Sequence, residues 1–254
     1  MPPATTRSKT EPRQSRPARV AEEIKDWVVE QGLQPGDRLP GEAELMARYS
    51  MAKGTIREAM RILEAQGLIK TRTGPGGGSF VHEVSRGRAK ALLGNYFYFK
   101  DLTVGDIYQL RRALEPELAA SLAGTLPEDV LVALEENIAQ YSEPATTLDE
   151  EREQHVASLQ FHAILAEQSG NSLLSFVIDF MVKLLADLTV YRKLYEPINR
   201  ELWEKGRDYQ VRLVMALRAG DKGAARAVMN AHMDTAWRLM RGQEVKMMKR
   251  FIDE

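Results

Sequence analysis

Three cations recur at four-residue spacing in the N-terminal third of the chain: Lys53, Arg57 and Arg61. On a helix that spacing stacks them on one face, about 6 Å apart. One cation can then reach a base edge while its neighbours hold phosphates. The apolar residues Ile56, Ala59, Met60 and Leu63 follow the same period on the other side and mark a buried face. Gly54 and Thr55 stand at the start of this helix, the end that a helix-turn-helix pushes into the major groove, and Gly54 lets backbone come close. A second polar set lies on apolar helical faces in the C-terminal half. Arg111 shares a face with Ile107, Leu114 and Leu118, and Gln210 shares one with Leu213, Val214 and Leu217. His162 lies a turn from Ser158, Leu159, Leu165 and Ala166, and His232 a turn from Val228, Met229 and Ala236. Each such residue calls for a partner. Four of them on inward faces of different helices predict a shared polar cavity, the arrangement of a ligand site between bundle helices.

The elements that must position these groups are mainly α. Ahead of the cationic helix, Glu42 to Tyr49 carries the apolar pattern Ala43, Leu45, Met46, Tyr49 of a short supporting helix. Val20 to Val29, with Val20, Ile24, Trp27 and Val28, supplies a third. After it the period changes: Leu68 to Arg72 and Ser79 to Val81 are strand-like runs around Thr73-Gly74-Pro75-Gly76-Gly77-Gly78, which predicts a two-stranded wing. Gly76 and Gly77 would let the wing tip approach a groove, with Arg72 adding charge beside them. Beyond residue 103 everything reads helical: Val104 to Leu122, Pro127 to Gln140, Leu148 to Glu167, Ser172 to Tyr195, Pro197 to Ala219 and Lys222 to Arg250. The expected organisation is a disordered basic arm over 1–17, a winged helix-turn-helix over 18–84, a linker over 85–103 and an all-helical bundle over 104–250. The Tyr96-Phe97-Tyr98-Phe99 cluster would anchor a linker helix.

The net charge of −1 looks wrong for a DNA binder until the chain is divided. Residues 1–84 hold 13 Lys+Arg against 11 Asp+Glu, and the remainder 22 against 25, so basic groups are concentrated by face and not by total. Arg7, Lys9, Arg13, Arg16 and Arg19 in and beside the arm are expected either to be plain disorder or to add salt-dependent DNA affinity. The absence of cysteine removes disulfides and thiolate metal sites and fits a reducing cytosol. No apolar run is long enough to span a bilayer and the start lacks a signal-peptide core, so a cytoplasmic protein without membrane contact is expected.

Taken together, Pro35-Gly36-Asp37-Arg38-Leu39-Pro40, Glu42, Leu45, Thr55-Ile56-Arg57-Glu58-Ala59, Leu63, Gly67-Leu68-Ile69 and Phe80-Val81 resemble the winged helix-turn-helix of the GntR family of bacterial transcription regulators. The resemblance implies that Arg38 contacts the DNA backbone and that Arg57 is the recognition-helix arginine. Where the family usually has Ser-Arg at the start of that helix, this chain has Ala52-Lys53, which removes an N-cap hydroxyl and a bidentate guanidinium. The second half, through Leu110 to Glu115, Phe161-His162, Ser169-Gly170-Asn171, Ala216 to Asp221, Ala225 and His232, resembles the ligand-binding FCD domain of the FadR-type subgroup.

Many members of that subgroup hold a divalent metal on an aspartate and three histidines. Here the resemblance puts Ser158 at the aspartate position and Gln210 at the third-ligand position, leaving only His162 and His232. Zn, Ni or Mn on two histidines alone would be held weakly. His155, about 10 Å from His162 along a helix, is too far to share an ion with it. Direct hydrogen bonding to an organic ligand is therefore expected in place of the metal, with Arg111 gripping an anionic group through two parallel bonds. His162, Gln210, Ser158 and His232 would orient the rest, and Tyr191 and Arg192 are further effector candidates.

The expectation is a homodimeric regulator that senses a small organic acid in its bundle and binds a near-palindromic double-stranded operator, a repressor by family habit. A constitutive DNA-binding protein whose bundle only dimerises is the alternative. An enzyme is disfavoured because no carboxylate dyad, nucleophile motif or phosphate loop accompanies the histidines.

Overall fold

The structure is a computed structural model that describes residues 14–100 and 102–253, with side chains described up to 244 apart from position 98. The basic positions 7, 9 and 13 of the expected arm lie outside the described residues. The chain forms two compact units, residues 1–89 and 90–254.

The first unit holds α1 (Arg16–Glu30), α2 (Glu42–Tyr49), α3 (Lys53–Gln66), β1 (Ile69–Arg72) and β2 (Gly78–Val81). Helix α1 begins inside the segment expected to be disordered, because the Ser15 hydroxyl caps the Ala18 N–H and Pro17 is pre-set for a first turn. Val20, Ala21 and Ile24 of α1 meet Leu45 of α2 and Ile56, Ala59 and Leu63 of α3 in one small core. The cationic face of α3 is thereby forced outward. Its N-cap is Ala52, which makes no side-chain cap bond.

Strands β1 and β2 pair antiparallel with Ile69 opposite Val81 and Arg72 opposite Gly78. The segment 36–39 adds a third line of backbone to this wing. Leu39 N–H donates to Ser79 O (2.8 Å), Val81 N–H to Asp37 O (2.8 Å) and Gly36 N–H to Val81 O (2.9 Å). The two-stranded wing expected from the sequence is thus bordered on its free edge, and Arg38 is fixed beside Phe80. At the tip, Gly77 N–H donates to Gly74 O (2.8 Å) across Pro75 and Gly76, and Gly76 adopts φ 76°. That is the left-handed third position a type II turn needs, and glycine meets it without strain.

The expected linker is largely helical, as α4 (Arg86–Tyr98). Of its aromatic cluster, Phe97 meets Phe180 at 5.9 Å between ring centres, while Tyr96 and Phe99 are exposed.

The second unit is a helical bundle of α5 (Val104–Leu122), α6 (Glu128–Ala139), α7 (Leu148–Glu167), α8 (Ser172–Tyr191), α9 (Arg200–Ala219) and α10 (Lys222–Asp253). Capping boxes start α5 (Thr103 with Asp106) and α7 (Thr147 with Glu150), and Asn171 and Asn199 cap α8 and α9. These caps fix where each helix begins, and so which side chains face inward. Where α5 and α9 end, Gly124 and Gly220 both take positive φ. A Cβ on Gly124 would lie 3.1 Å from the Gly220 Cα, so the two backbones touch where no side chain fits. The apolar core runs through all six helices, including Leu118, Leu134, Phe161, Leu165, Ile178, Leu185, Leu213 and Met233.

Candidate functional site

Two places gather chemistry, one in each unit. In the first, Arg38, Arg57 and Arg61 line one surface groove between α3 and the wing. Arg57 Nε donates to Glu42 Oε1 (2.7 Å), and Lys53 Nζ lies 3.6 Å from the other oxygen of the same carboxylate. The Arg57 hydrogen bond holds the Glu42 carboxyl below its ordinary range. These groups are exposed, so the pairs add little stability. Their consequence is positional: Glu42 holds two cations of the reading face at fixed places on α3. Arg61 pairs with Glu58 at 3.2 Å. Arg38 Nη2 donates to Gly77 O (2.7 Å), which ties its guanidinium to the wing tip, and the Arg72 guanidinium lies over the Phe80 ring, 4.6 Å from its centre. Gly54 and Gly76 face open space, and Thr55 is half-buried.

In the bundle, a partly open space of about 50 Å³ is lined by five helices and Tyr141. Arg111, Ser158, His162, Gln210 and His232 all line it, so the predicted cavity residues do meet. Around them the structure adds a carboxylate. Glu115, one turn after Arg111 and fully buried, pairs with the Arg111 guanidinium. It also lies 2.5 Å from His162 Nδ1. Burial alone would raise the Glu115 pKa, but the charge of Arg111 and the contact with His162 outweigh it and hold the carboxyl far below the usual range. Burial lowers the His162 and His232 pKa values, so both rings are neutral at physiological pH. Their Nε2 atoms face each other at 3.3 Å. With its Nδ1 proton directed to Glu115, His162 offers a lone pair at Nε2, which the Nε2–H of His232 can fill.

Gln210 is committed to the protein. Its Oε1 accepts from Tyr141 OH (2.8 Å) and its Nε2 donates to Ser158 O (3.0 Å). The Ser158 hydroxyl donates to His155 O (2.9 Å). Neither therefore complements the histidine pair as a metal donor, and Glu115 sits on the far side of the His162 ring. Among the described residues no group of three or more His, Cys, Asp or Glu side chains converges on a point. A resident divalent metal, which needs three or four donors, does not fit the residues present.

Two expected effector residues are not brought to the cavity. Helix α8 ends at Tyr191 instead of running to Tyr195, and Lys193 turns left-handed with φ 50°. Tyr191 is 81% exposed, and Arg192 is spent on Glu244 and the Leu102 carbonyl. Conversely, His155, Glu151, Gln154, Thr189 and Arg207 line the space without having been expected there.

Residues 17–81 match the family "Bacterial regulatory proteins, gntR family", and residues 106–235 match the FCD domain. The chain is 25% identical over 204 residues to the HTH-type transcriptional regulator LutR of Bacillus subtilis, covering 79% of this chain and 90% of that one. It is 29% identical over 250 residues to the HTH-type transcriptional repressor NanR of Citrobacter rodentium (91% and 88%), and 26% identical over 226 residues to the Exu regulon transcriptional regulator of Escherichia coli K12 (89% and 84%). A solved GntR structure from Streptococcus agalactiae shares the fold with a TM-score of 0.57 at 23% identity, covering 87% of this chain and 99% of that one. The reading helix and wing, the helical bundle that follows them in the chain and these matches agree: the chain belongs to the gntR family of bacterial transcription regulators, in the FadR-type branch whose C-terminal half is an FCD domain.

Proposed function

We propose that this regulator is a homodimeric repressor that acts in the cytoplasm, binds a near-palindromic operator through α3 and the wing, and releases it when a small organic acid enters the bundle cavity. One observation carries the sensing half of this reading. With the His162 Nδ1 proton taken by Glu115, every described buried side-chain nitrogen or oxygen that finds no partner in the protein belongs to a residue lining that one cavity: Gln154, His155, Thr189, Arg207 and His232. A buried polar group left unsatisfied costs about 1–3 kcal/mol, so a wall carrying several of them favours a polar guest. The relative named NanR is a repressor, which supports that sign of control. A catalytic role is disfavoured because the Ser158 hydroxyl donates to the His155 carbonyl and not to either ring of the histidine pair. No helix among the described residues is long and apolar enough to cross a membrane.

The test is fluorescence anisotropy with labelled duplex from upstream of the gene, run with a panel of small carboxylates. Arg57→Ala should weaken binding by about 1–3 kcal/mol, or roughly 5- to 150-fold, and one carboxylate should release the wild-type complex. DNA affinity indifferent to every carboxylate, and to any that stabilises the bundle in a melt, would leave the cavity without a regulatory role.

A further inference from the structure

The cavity wall carries two guanidinium groups in different electrical states. Arg111 is neutralised by Glu115, so it offers a ligand a dipole and not a net charge. Among the described residues Arg207 has no acidic side chain at ion-pair distance, and its Nε is buried without a partner. It projects from the stretch of α9 that faces this space. The neighbouring Gly206 brings backbone close to the histidine pair, since a Cβ there would lie 3.9 Å from His232 Cε1, and Gln210 follows one turn later. Burial raises the pKa of the Tyr141 hydroxyl on the same wall, and the nearby Arg207 charge offsets part of that rise. The second carboxylate of the cavity, Glu151, accepts the Asn199 N–H (3.1 Å) and is not paired with Arg207. Both ring nitrogens of His155 are buried and without partners.

We infer that Arg207, and not Arg111, holds the carboxylate of the effector, with His155 as an uncharged donor on the same wall. Arg111 instead keeps Glu115 ionised and so fixes which nitrogen of His162 carries the proton. This rests on the reading of the cavity as the effector site. It replaces the metal, which the donor set does not support, by a fixed cation. A guanidinium matches a carboxylate with two parallel donors, whereas a lysine in its place would act as a point charge. Arg207 is half-buried, and its buried, unpartnered Nε gives an anion a donor that the free protein leaves unused. The guest is thereby selected by charge as well as by size.

The probe pair is acetate and acetamide, which share a shape that a space of about 50 Å³ can approach and differ in charge. Thermal melts of the full-length protein at constant ionic strength, balanced with chloride, should show saturable stabilisation by acetate and at least tenfold weaker apparent affinity for acetamide. Arg207→Gln should raise the apparent Kd for acetate at least tenfold. Arg207→Lys should fall between the two, which keeps the test open if the glutamine variant folds poorly. Acetate stabilising the Gln and Lys variants as well as the wild type would overturn the assignment of Arg207 and leave the cavity as a ligand site. Equal stabilisation by acetate and acetamide in all three proteins would do the same, since charge would then not be read. Stabilisation by neither probe in any protein would overturn both the assignment and the effector site on which it rests.

Discussion

The buried histidines make the bundle acid-sensitive in a definite pH window. Burial pushes His155 down to about 4 from the ordinary 6.5, so the folded bundle keeps this ring neutral where an unfolded chain would already be protonated. Between those two values the unfolded state binds more protons, and stability therefore falls as pH falls. The full span is worth about 3 kcal/mol, and about 2 kcal/mol of it is lost between pH 7.5 and 5. His162 and His232 are lowered in the same direction and add to the loss. Glu115, lowered instead of raised, contributes stability that is present above about 4.5 and lost below it, so it does not confuse this window. The assay is urea unfolding at pH 7.5 and 5 in a Trp27→Phe background, which leaves Trp203 and Trp237 of the bundle as the fluorescent reporters. His155→Gln should reduce the pH-dependent loss by about 2 kcal/mol. Identical pH dependence in the two proteins would refute the claim that burial keeps this ring neutral.

Glu115→Gln should destabilise the bundle by about 3–5 kcal/mol, because it strands the buried Arg111 charge. The double change Arg111→Met with Glu115→Leu should recover most of that loss in the same urea assay. Gly77→Ala would place a Cβ 2.6 Å from Arg72 O and 2.8 Å from Gly74 O. Both are backbone atoms, so no rotamer relieves the clash; DNA affinity should drop about tenfold, or about 1.4 kcal/mol, with the bundle melt unchanged. EDTA-treated wild type should show no saturable stabilisation by zinc, nickel or manganese. The double variant Ser158→Asp, Gln210→His adds two donors to the histidine pair and should gain zinc stabilisation of about 2.7 kcal/mol at a hundredfold excess over Kd. Failure of the gain in a folded variant would mean that these two positions do not aim at the histidines.

What the sequence disclosed and what it hid differ by one physical criterion. Periodic burial was legible: Ile56, Ala59 and Leu63 repeat on one face of α3 and are buried, and the bounds of α5 and α7 fall where the apolar pattern and the capping boxes put them. The inward polar residues Arg111, His162, Gln210 and His232 stood out for the same reason, as interruptions of an apolar face. Glu115 lay in plain view within Leu110 to Glu115, but a glutamate four residues after an arginine reads as an ordinary surface pair, and only tertiary burial makes it the partner of Arg111 and His162. Arg207 sits in Arg200 to Arg212, where charges of both signs alternate and the segment reads as solvated. His155 was set aside as two turns from His162, which is decisive for sharing one metal ion but not for sharing a cavity that extends along α7. Tyr191 and Arg192 were misplaced because apolar periodicity does not report the end of α8, which the turn at Lys193 imposes. The third edge of the wing is made by backbone bonds of Gly36, Asp37 and Leu39, which have no side-chain signature.

The size of the cavity connects its chemistry to control. Ligand pockets for drug-sized molecules enclose about 300–1,000 Å³, several times the space found here. A guest of only two or three heavy-atom bonds in length can be taken up without moving a helix, and it would bind the DNA-bound and DNA-free states of the proposed regulator equally. A ligand of equal affinity for two states shifts neither, however tightly it binds. A larger acid must press on the wall or extend through its open side, and the parts of the wall held by internal bonds resist that pressure. Arg111, Glu115, His162 and His232 form one continuous buried network, and Gln210 is bonded at both ends of its amide to Tyr141 and Ser158. Arg207 and His155, by contrast, have no side-chain partners to lose among the described residues, so the side of the wall that reads the ligand's charge is also the side that can yield to its bulk. An effector that signals should therefore be larger than the acetate that merely fills the site, and acetate should stabilise the bundle without releasing DNA.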